Sequence, residues 1–419
     1  MKIVVYNLGC KVNQYECDSL TRRLRAQGHD VSEHLEEADL YVLNTCAVTN
    51  EAERKSRQCV ERCLRLRRDA SVVVMGCASQ NDPTQFASKR GVALVKGIAH
   101  KMGVADDLTR CGIELDELPA VYEDDFCAQA TRTRAYVKVQ DGCDRFCTYC
   151  LIPYLRGRSR SRAIDSVVRE CEALARTCKE IVLTGIDLSS YGKRDGATLT
   201  QLLAALRDVP CRIRLGSLEV SAIDDGLLQA SETLQAFCPQ FHLSMQSGDD
   251  ETLRAMNRRY TTAQYADKVA LIRRYYPTAG ITTDWICGFP TETEAQFRAS
   301  EAFVRAIGFS QIHVFGYSPR KGTVADRRYA PLAGDVVKDR CDRAAAIAAQ
   351  SKAEYLARAV GTATQVLTEE LSDGYVFGYN PQYARVALPP DTPCDCIVNA
   401  RVLRTDGTHL FAEPADKID

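Results

Sequence analysis

Short apolar runs alternate with amphipathic segments along most of the chain, and this alternation restricts the fold more than any other feature. KIVVYNL (2–8), DLYVLNT (39–45), SVVVMG (71–76) and ALVKG (93–97) are strand-like, with helical patterns at 15–27 and about 50–67 between them. Strands separated by helices form parallel, doubly wound sheets. A second series opens near residue 134: AYVKV (135–139), EIVLTG (180–185), RIRLGS (212–217), FHLSM (241–245), GITTDWI (280–286) and IHVFGY (312–317). Helical stretches such as 163–178 and 294–307 intervene. Six such β/α units predict an incomplete barrel whose chemistry lies at the strand C-termini. The acidic ELDELPAVYEDD reads as a linker between the two series. Pro, Gly and charge break the pattern at 319–335, and a helical segment at 340–360 then leads to a tail. Five strand-like pieces in that tail, TATQVLTEE, GYVFGY, YARVALP, CIVNARVLR and THLFAE, predict a small β-barrel.

The fold class is therefore α/β with three parts. A chain of 419 residues is long enough for two or three domains. The assigned boundaries are 1–125, 130–355 and 358–419. No apolar run is long enough to span a membrane. The start MKIVVYNLGC goes straight into a strand rather than a secretory leader, so the expected location is cytoplasmic.

Nineteen cysteines in a reducing compartment point to metal or redox chemistry rather than to disulfides. Cys171, Cys178, Cys211 and Cys341 read as small packed hydrophobes, and Cys59 and Cys63, one helical turn apart, as a packed or solvated helix face. Cys143, Cys147 and Cys150, in DGCDRFCTYC, fall on the loop after the first strand of the second series. Structural zinc sites usually take four ligands. Three close thiolates instead suit a four-iron cluster with one iron left open. Cys10, Cys46 and Cys77 each follow a strand of the first series, so a parallel sheet places all three on one edge, within reach of a second metal centre.

The net charge of −1 announces no nucleic-acid partner, but cations flank the three-cysteine loop in TRTRAYVK (131–138) and RGRSRSR (156–162). Arg156, Arg158, Arg160 and Arg162 alternate without acidic partners nearby, a pattern suited to phosphates. The basic segment 54–68 reads as a solvated helix face.

On these residues the chain resembles the radical S-adenosylmethionine (SAM) enzymes, whose signature has the CxxxCxxC spacing. Beyond the signature, it resembles the methylthiotransferases within that superfamily. NLGCKVNQYE (7–16), NTCAVT (44–49) and MGCASQ (75–80) look like the three blocks of their N-terminal domain. HLSMQSGDDETLRAMNRRYT (242–261) and TTDWICGFPTET (282–293) look like the barrel blocks, and GYNPQYARVALP (378–389) resembles the RNA-binding TRAM domain. LGCKVNQYE and QDGCDRFCTYCLIPY look most like the branch acting on N6-threonylcarbamoyladenosine in tRNA. The isopentenyl-adenosine branch typically reads GCQMN at the first cysteine, and the ribosomal-protein aspartate branch GCPKN. Ser244, Asp187, Cys287, Thr291 and Gly316 depart from the family pattern.

The resemblance implies a doubly wound domain, a partial (β/α)6 radical-SAM barrel and a TRAM-like barrel. It implies two [4Fe-4S] clusters, one on Cys10, Cys46 and Cys77 and one on Cys143, Cys147 and Cys150, together with SAM. One SAM would methylate a sulfur held on the first cluster. A second, cleaved reductively at the other, would yield a radical that activates C2 of the adenine next to the anticodon (position 37). The implied partners are a tRNA anticodon stem-loop, a flavodoxin or ferredoxin as electron donor, and a sulfur donor. For SAM the candidates are Tyr149, Gly185, Glu219, Gln246 and Asp284, on or beyond strand ends. The only tryptophan, Trp285, is expected in the core. Arg320, after the last barrel strand, is the candidate partner of the threonyl carboxylate. An electron carrier with two clusters and a zinc RNA-binding protein are the other classes that share these cysteines.

Overall fold

The computed structural model describes residues 1–126 and 133–415. Thr131 and Arg132 of the first basic flank lie outside the described residues. The first six strands are β1 (Lys2–Asn7), β2 (Asp30–Ser32), β3 (Leu40–Thr45), β4 (Ser71–Gly76), β5 (Val92–Lys96) and β6 (Gly112–Glu114). They form one parallel sheet in the order β2-β1-β3-β4-β5-β6. Two short edge strands, β2 and β6, had no clear sequence signal. Helix α1 (Lys11–Ala26) starts four residues before the expected position, because Cys10 is already its N-cap. Helix α2 (Asn50–Leu66) carries Cys59 and Cys63 on one face, which is the packed and not the solvated one, and a short α3 (Cys77–Asn81) follows β4 directly.

In the second part, β7 (Arg134–Lys138) is followed by a two-stranded ribbon, β8 (Gln140–Asp141) with β9 (Arg160–Ser161). Then come β10 (Glu180–Thr184), β11 (Arg212–Leu215) continued by β12 (Ser217–Leu218), β13 (Gln240–Leu243), β14 (Gly280–Cys287) and β15 (Gln311–Gly316). All neighbours pair in parallel, β11-β10-β7 and β12-β13-β14-β15, so the barrel stays open between β7 and β15. The six strands expected from the sequence are the six observed. Val137, Ile181, Leu183, Ile213 and Leu215 pack into the main core, and Trp285 stacks there on Phe297 with ring centroids 5.5 Å apart. Because side chains alternate across a strand, the intervening Arg134, Tyr136, Lys138, Glu180, Arg212, Arg214, His242, Asp284 and His313 face the lumen. The alternation makes the lumen polar.

A helix, Gly334–Ala357, leads into the closed barrel β16 (Ala363–Ser372), β17 (Tyr375–Tyr379), β18 (Arg385–Leu388), β19 (Ile397–Thr405) and β20 (Leu410–Pro414). This small barrel seals the end of the lumen where the strands begin. Arg214 donates to the carbonyl of Pro381 at 2.8 Å, and Arg134 pairs with Glu369 at 3.0 Å. Both guanidiniums also lie over the Tyr383 ring.

Glu180 holds this floor together, accepting from Arg134 Nε and Arg214 Nε at 2.7 Å each. Burial by itself would raise its pKa, but Arg214, Arg134 and Arg212 outweigh burial and hold it at about 2. A carboxylate depressed in the folded state stabilises the fold above its unfolded pKa and loses that contribution as pH falls through its folded value. Glu180 should thus contribute roughly 3 kcal/mol at neutral pH, lost between about pH 4 and pH 2. Thermal unfolding of the wild type and of Glu180→Gln, followed across that range, is expected to show the gap between them closing.

The acidic stretch 115–125 is docked rather than loose. The Tyr122 hydroxyl donates to the Lys138 carbonyl at 2.5 Å, and the Asp125 carbonyl accepts from Tyr15 and Ser19.

Candidate functional site: two thiol triads around a polar lumen

Cys143, Cys147 and Cys150 sit on the loop between β8 and β9, at the C-terminal end of β7. Gly142 has φ +71°, and a Cβ there would stand 2.0 Å from the Arg158 carbonyl oxygen, so only glycine lets the loop turn in. Backbone N–H groups point at two of the sulfurs: Arg145 N–H to Cys143 Sγ and Ile152 N–H to Cys150 Sγ, both at 3.4 Å. Arg258 Nη1 reaches Cys147 Sγ at 3.6 Å. Asn257, itself in the left-handed region at φ 58°, donates to the carbonyls of Arg145 and Phe146 and fixes the loop from outside. Phe146 (φ 49°) and Gln246 (φ 68°) share that uncommon backbone conformation. Non-glycine residues at positive φ concentrate where function demands a particular shape.

Burial pushes the Cys143 and Cys150 thiols up to about 12, with neighbouring anions adding to the effect. Each senses Cys147, and Cys150 also senses Cys143, so the three sulfurs are mutual neighbours. Three thiols without a carboxylate or imidazole among them form a soft donor set that suits iron–sulfur chemistry. Among the described residues no three His, Cys, Asp or Glu side chains close round a single metal ion. A four-iron cluster makes no such demand, because it takes one thiolate per iron. The residues fit a cluster.

Cys147 opens onto a cavity of about 180 Å³ lined also by Arg145, Asp187, Glu219, Asn257 and Arg258. Arg145 bridges two of the acids there, with Nε 2.9 Å from Asp187 and Nη1 2.7 Å from Glu219. Of the five candidates for SAM, only Glu219 lines this cavity. Tyr149 packs on the cluster of Met256, Phe289 and Ala325. Gly185 directly follows β10, and a Cβ there would come within 2.9 Å of Gln140 Oε1. The Gln246 N–H is bonded to the Asp284 carbonyl, and the Asp284 carboxylate faces His242 Nε2 at 3.3 Å on the lumen wall. Arg145, Asn257 and Arg258 were missed at the sequence level. The one signal they offered was their place inside or just after quoted blocks.

Cys10, Cys46 and Cys77 follow β1, β3 and β4, which are adjacent strands, so they stand side by side on the C-terminal edge of the sheet. Desolvation raises the Cys10 thiol and pushes Cys46 up to about 12, and each also senses Cys77. Cys10 is exposed at this edge. Gly76, at φ +110°, is required because a Cβ there would meet Asn44 Oδ1 and the Thr45 carbonyl at 2.6 Å. The Cys10 thiol donates to Asn13 Oδ1 at 3.3 Å, and Asn13 in turn donates to Asn44 and Thr45. This second set of three thiols is as soft as the first.

Arg156, on the same β8–β9 connection as the first triad, reaches across to the second at Cys77. Its fully buried guanidinium donates from Nε to Cys77 Sγ at 3.2 Å and from Nη2 to Asn13 Oδ1 at 3.1 Å. Through Nη1 it also donates to Glu16 at 3.1 Å and Asp141 at 3.0 Å. Glu16 pairs with Lys101 at 2.5 Å, and Lys138 lies 3.7 Å from Glu16, Asp125 and Asp141.

This network corrects the phosphate-binding expectation for the arginine run. Arg156, Arg160 and Arg162 are buried, with Arg160 on Asp141 and Arg162 on Asp124 and Glu170. Arg158 alone is exposed, paired with Asp144 at 3.2 Å and lying over the Phe146 ring. Arg320 is also buried and tied to Glu53 and Asn50 of α2, so its guanidinium is already engaged and does not wait for a substrate carboxylate.

Residues 2–97 match the model of the uncharacterized protein family UPF0004, and residues 137–304 that of the radical SAM superfamily. The threonylcarbamoyladenosine tRNA methylthiotransferase MtaB of Bacillus subtilis is 33% identical over 406 residues, covering 92% of this chain and 90% of that protein. The protein of the same name from Thermotoga maritima is 35% identical over 396 residues, covering 92% and 91%. A tRNA-2-methylthio-N(6)-dimethylallyladenosine synthase from Anaeromyxobacter sp. (strain Fw109-5) is 33% identical over 439 residues, covering 99% and 95%. Among solved structures, the radical SAM methyltransferase TsrM from Kitasatospora setae shares the fold, with a TM-score of 0.56 at 18% identity over 76% of each chain.

Proposed function

The chain belongs to the tRNA methylthiotransferases of the radical SAM superfamily, and from this premise we infer that it inserts a methylthio group at C2 of N6-threonylcarbamoyladenosine next to the anticodon. The observation that carries this reading is the pair of thiol triads at the C-terminal ends of parallel strands, with Cys147 opening onto a charged cavity, beside a polar lumen open on one side. The choice of nucleoside follows the NLGCKVNQYE block and the names of the first relatives.

When bound, a [4Fe-4S] cluster on Cys143, Cys147 and Cys150 would supply the electron that cleaves SAM, and one on Cys10, Cys46 and Cys77 would carry the sulfur. The chain's own residues position and shield. Arg258 and the N–H groups of Arg145 and Ile152 hold the three sulfurs of the first triad. Glu219 and Asp187 present carboxylates to the cavity, matched to the amino group of SAM, while Arg258 and Arg259 on the same wall match its carboxylate. The small C-terminal barrel closes the far end of the lumen and keeps bulk water from a radical step.

An RNA-binding role for residues 358–419 and a cytoplasmic location complete the proposal, with a flavodoxin or ferredoxin as electron donor and a separate sulfur donor. No helix among the described residues is long and apolar enough to cross a membrane. Anaerobic incubation with SAM, a reductant and tRNA carrying threonylcarbamoyladenosine, followed by nucleoside mass analysis, is expected to give the 2-methylthio product. Product only on isopentenyl-adenosine tRNA would move the chain to the other branch.

A further inference from the structure

The short helix Ile152–Arg156 spans the step between the two triads. It starts just after Cys150 and ends at Arg156, which donates to Cys77. It packs against α3, whose first residue is Cys77. Leu151 and Leu155 join the core of the first domain, and Pro153 is buried. Tyr154 points out of this packing. At 49% it is the most exposed Phe, Tyr or Trp among the described residues.

That ring is not isolated. Phe146, between Cys143 and Cys147, meets it edge to face with centroids 5.6 Å apart. The Arg158 guanidinium lies 4.8 Å from the Phe146 centroid. Phe146 is held in its left-handed backbone conformation, φ 49°, by Asn257, which donates to its carbonyl at 3.0 Å. Two rings and a guanidinium thus form a ladder on the loop that also carries the first triad. Asp144, which pairs with Arg158 at 3.2 Å, is itself part of the wall of the charged cavity, so the ladder stands at the cavity mouth.

The charge at this mouth favours a polyanion. On the segments 143–158, 187–195 and 257–259 the exposed cations are Arg158, Lys193, Arg194 and Arg259, and the exposed acids are Asp144 and Asp195. Asp144 is shared by Arg158 and, at 4.0 Å, by Arg194. Lys193 and Arg259 line the cavity and have no ion-pair partner among the described residues. Arg145 is engaged by Asp187 and Glu219 inside. An exposed aromatic ladder among free cations suits unpaired RNA bases, which are bound by stacking on rings and guanidinium planes.

We propose that Tyr154, backed by Phe146 and Arg158, is a stacking platform for the unpaired base that flanks the target adenosine in the substrate RNA loop. The proposal rests on the reading of the chain as a tRNA-modifying enzyme. An adenine that reacts beside the triads has to leave its stack. The neighbouring base then loses a partner, and the Tyr154 ring, on the helix between the triads, supplies another. Because the platform takes a base other than the reacting one, it is indifferent to the N6 substituent.

The test is the affinity of the reconstituted holoenzyme for fluorescent anticodon stem-loops bearing N6-threonylcarbamoyladenosine. Three loops are compared: intact, and abasic at the nucleotide just before or just after the modified one. Wild-type protein is expected to lose about 5–100-fold when one of the two flanking bases is removed, the range of one stacked base. Tyr154→Ala is expected to bind the intact loop that much more weakly and to ignore the same abasic change, whereas Tyr154→Phe keeps the wild-type pattern. The abasic comparison needs no variant, so it stands even if Tyr154→Ala fails to load iron. Equal binding of all three loops by the wild type, or an undiminished abasic penalty in a folded, iron-loaded Tyr154→Ala, would overturn the assignment. Unchanged RNA affinity in that variant with slower reduction by a flavodoxin would give the ladder to the electron donor and overturn it too. A loop carrying isopentenyl-adenosine that binds more tightly, with the same abasic penalty, would support the platform and overturn only the choice of nucleoside. The two failures are therefore distinguishable.

Discussion

Cys147→Ala is expected to stop the formation of 5′-deoxyadenosine from SAM. Cys147 is the member of its triad that lines the charged cavity, and Arg258 reaches its sulfur at 3.6 Å. Changes in the surroundings of a metal site already cost about 10–100-fold, so removal of a ligand should cost more than about 100-fold. The residue is only half-buried and belongs to no hydrophobic core cluster, so the fold itself should survive the change. Iron content should drop from about eight to about four per chain, one cluster's worth. Far-UV circular dichroism and thermal unfolding control for structure. Undiminished 5′-deoxyadenosine in the variant would remove the triad from the reaction.

The second large effect belongs to Arg156. Its guanidinium serves four acceptors on three segments: Cys77, Asn13 with Glu16, and Asp141. Arg156→Met leaves the carboxylates of Glu16 and Asp141 buried with one fewer cation. Breaking a buried ion pair from one side costs about 3–5 kcal/mol, which corresponds to a fall on the order of 10 °C in the first unfolding transition. Arg156→Lys should recover only part of this, because a single ammonium cannot reproduce a planar fork of donors. Hydrogen bonds to cluster sulfurs also set reduction potentials. The variant protein should therefore show a changed potential in the signal that depends on Cys10, Cys46 and Cys77, and an unchanged one in the other. Identical stability and both potentials unchanged would mean that the bridge does nothing.

Much of this architecture was legible in the sequence, for definite reasons. Alternating short apolar runs and helical patterns located all six barrel strands, and turn residues separated the five strands of the tail. The strand-end rule placed Cys10, Cys46 and Cys77 on one edge before any contact was known, because it follows from parallel topology alone. What could not be read was pairing between distant segments. RGRSRSR looked like a phosphate stripe because its partners Glu16, Asp124, Asp141 and Glu170 lie outside the run, from 8 to 140 positions away. Arg320 looked free for the same reason, with Glu53 some 267 positions away. Of the SAM candidates, Glu219 reached the cavity while Tyr149 went to a packing cluster. A strand end fixes a residue's neighbourhood without fixing the direction of its side chain.

The most direct test of two cooperating thiol sites is one reaction in which two products are counted. Holoenzyme with Cys10, Cys46 and Cys77 all replaced by alanine is incubated anaerobically with SAM, reductant and threonylcarbamoylated tRNA, beside the wild type. The expected result is 5′-deoxyadenosine without any 2-methylthio nucleoside, against both products in the wild type. A methylthio nucleoside formed by the triple variant would contradict the division of labour between the two triads.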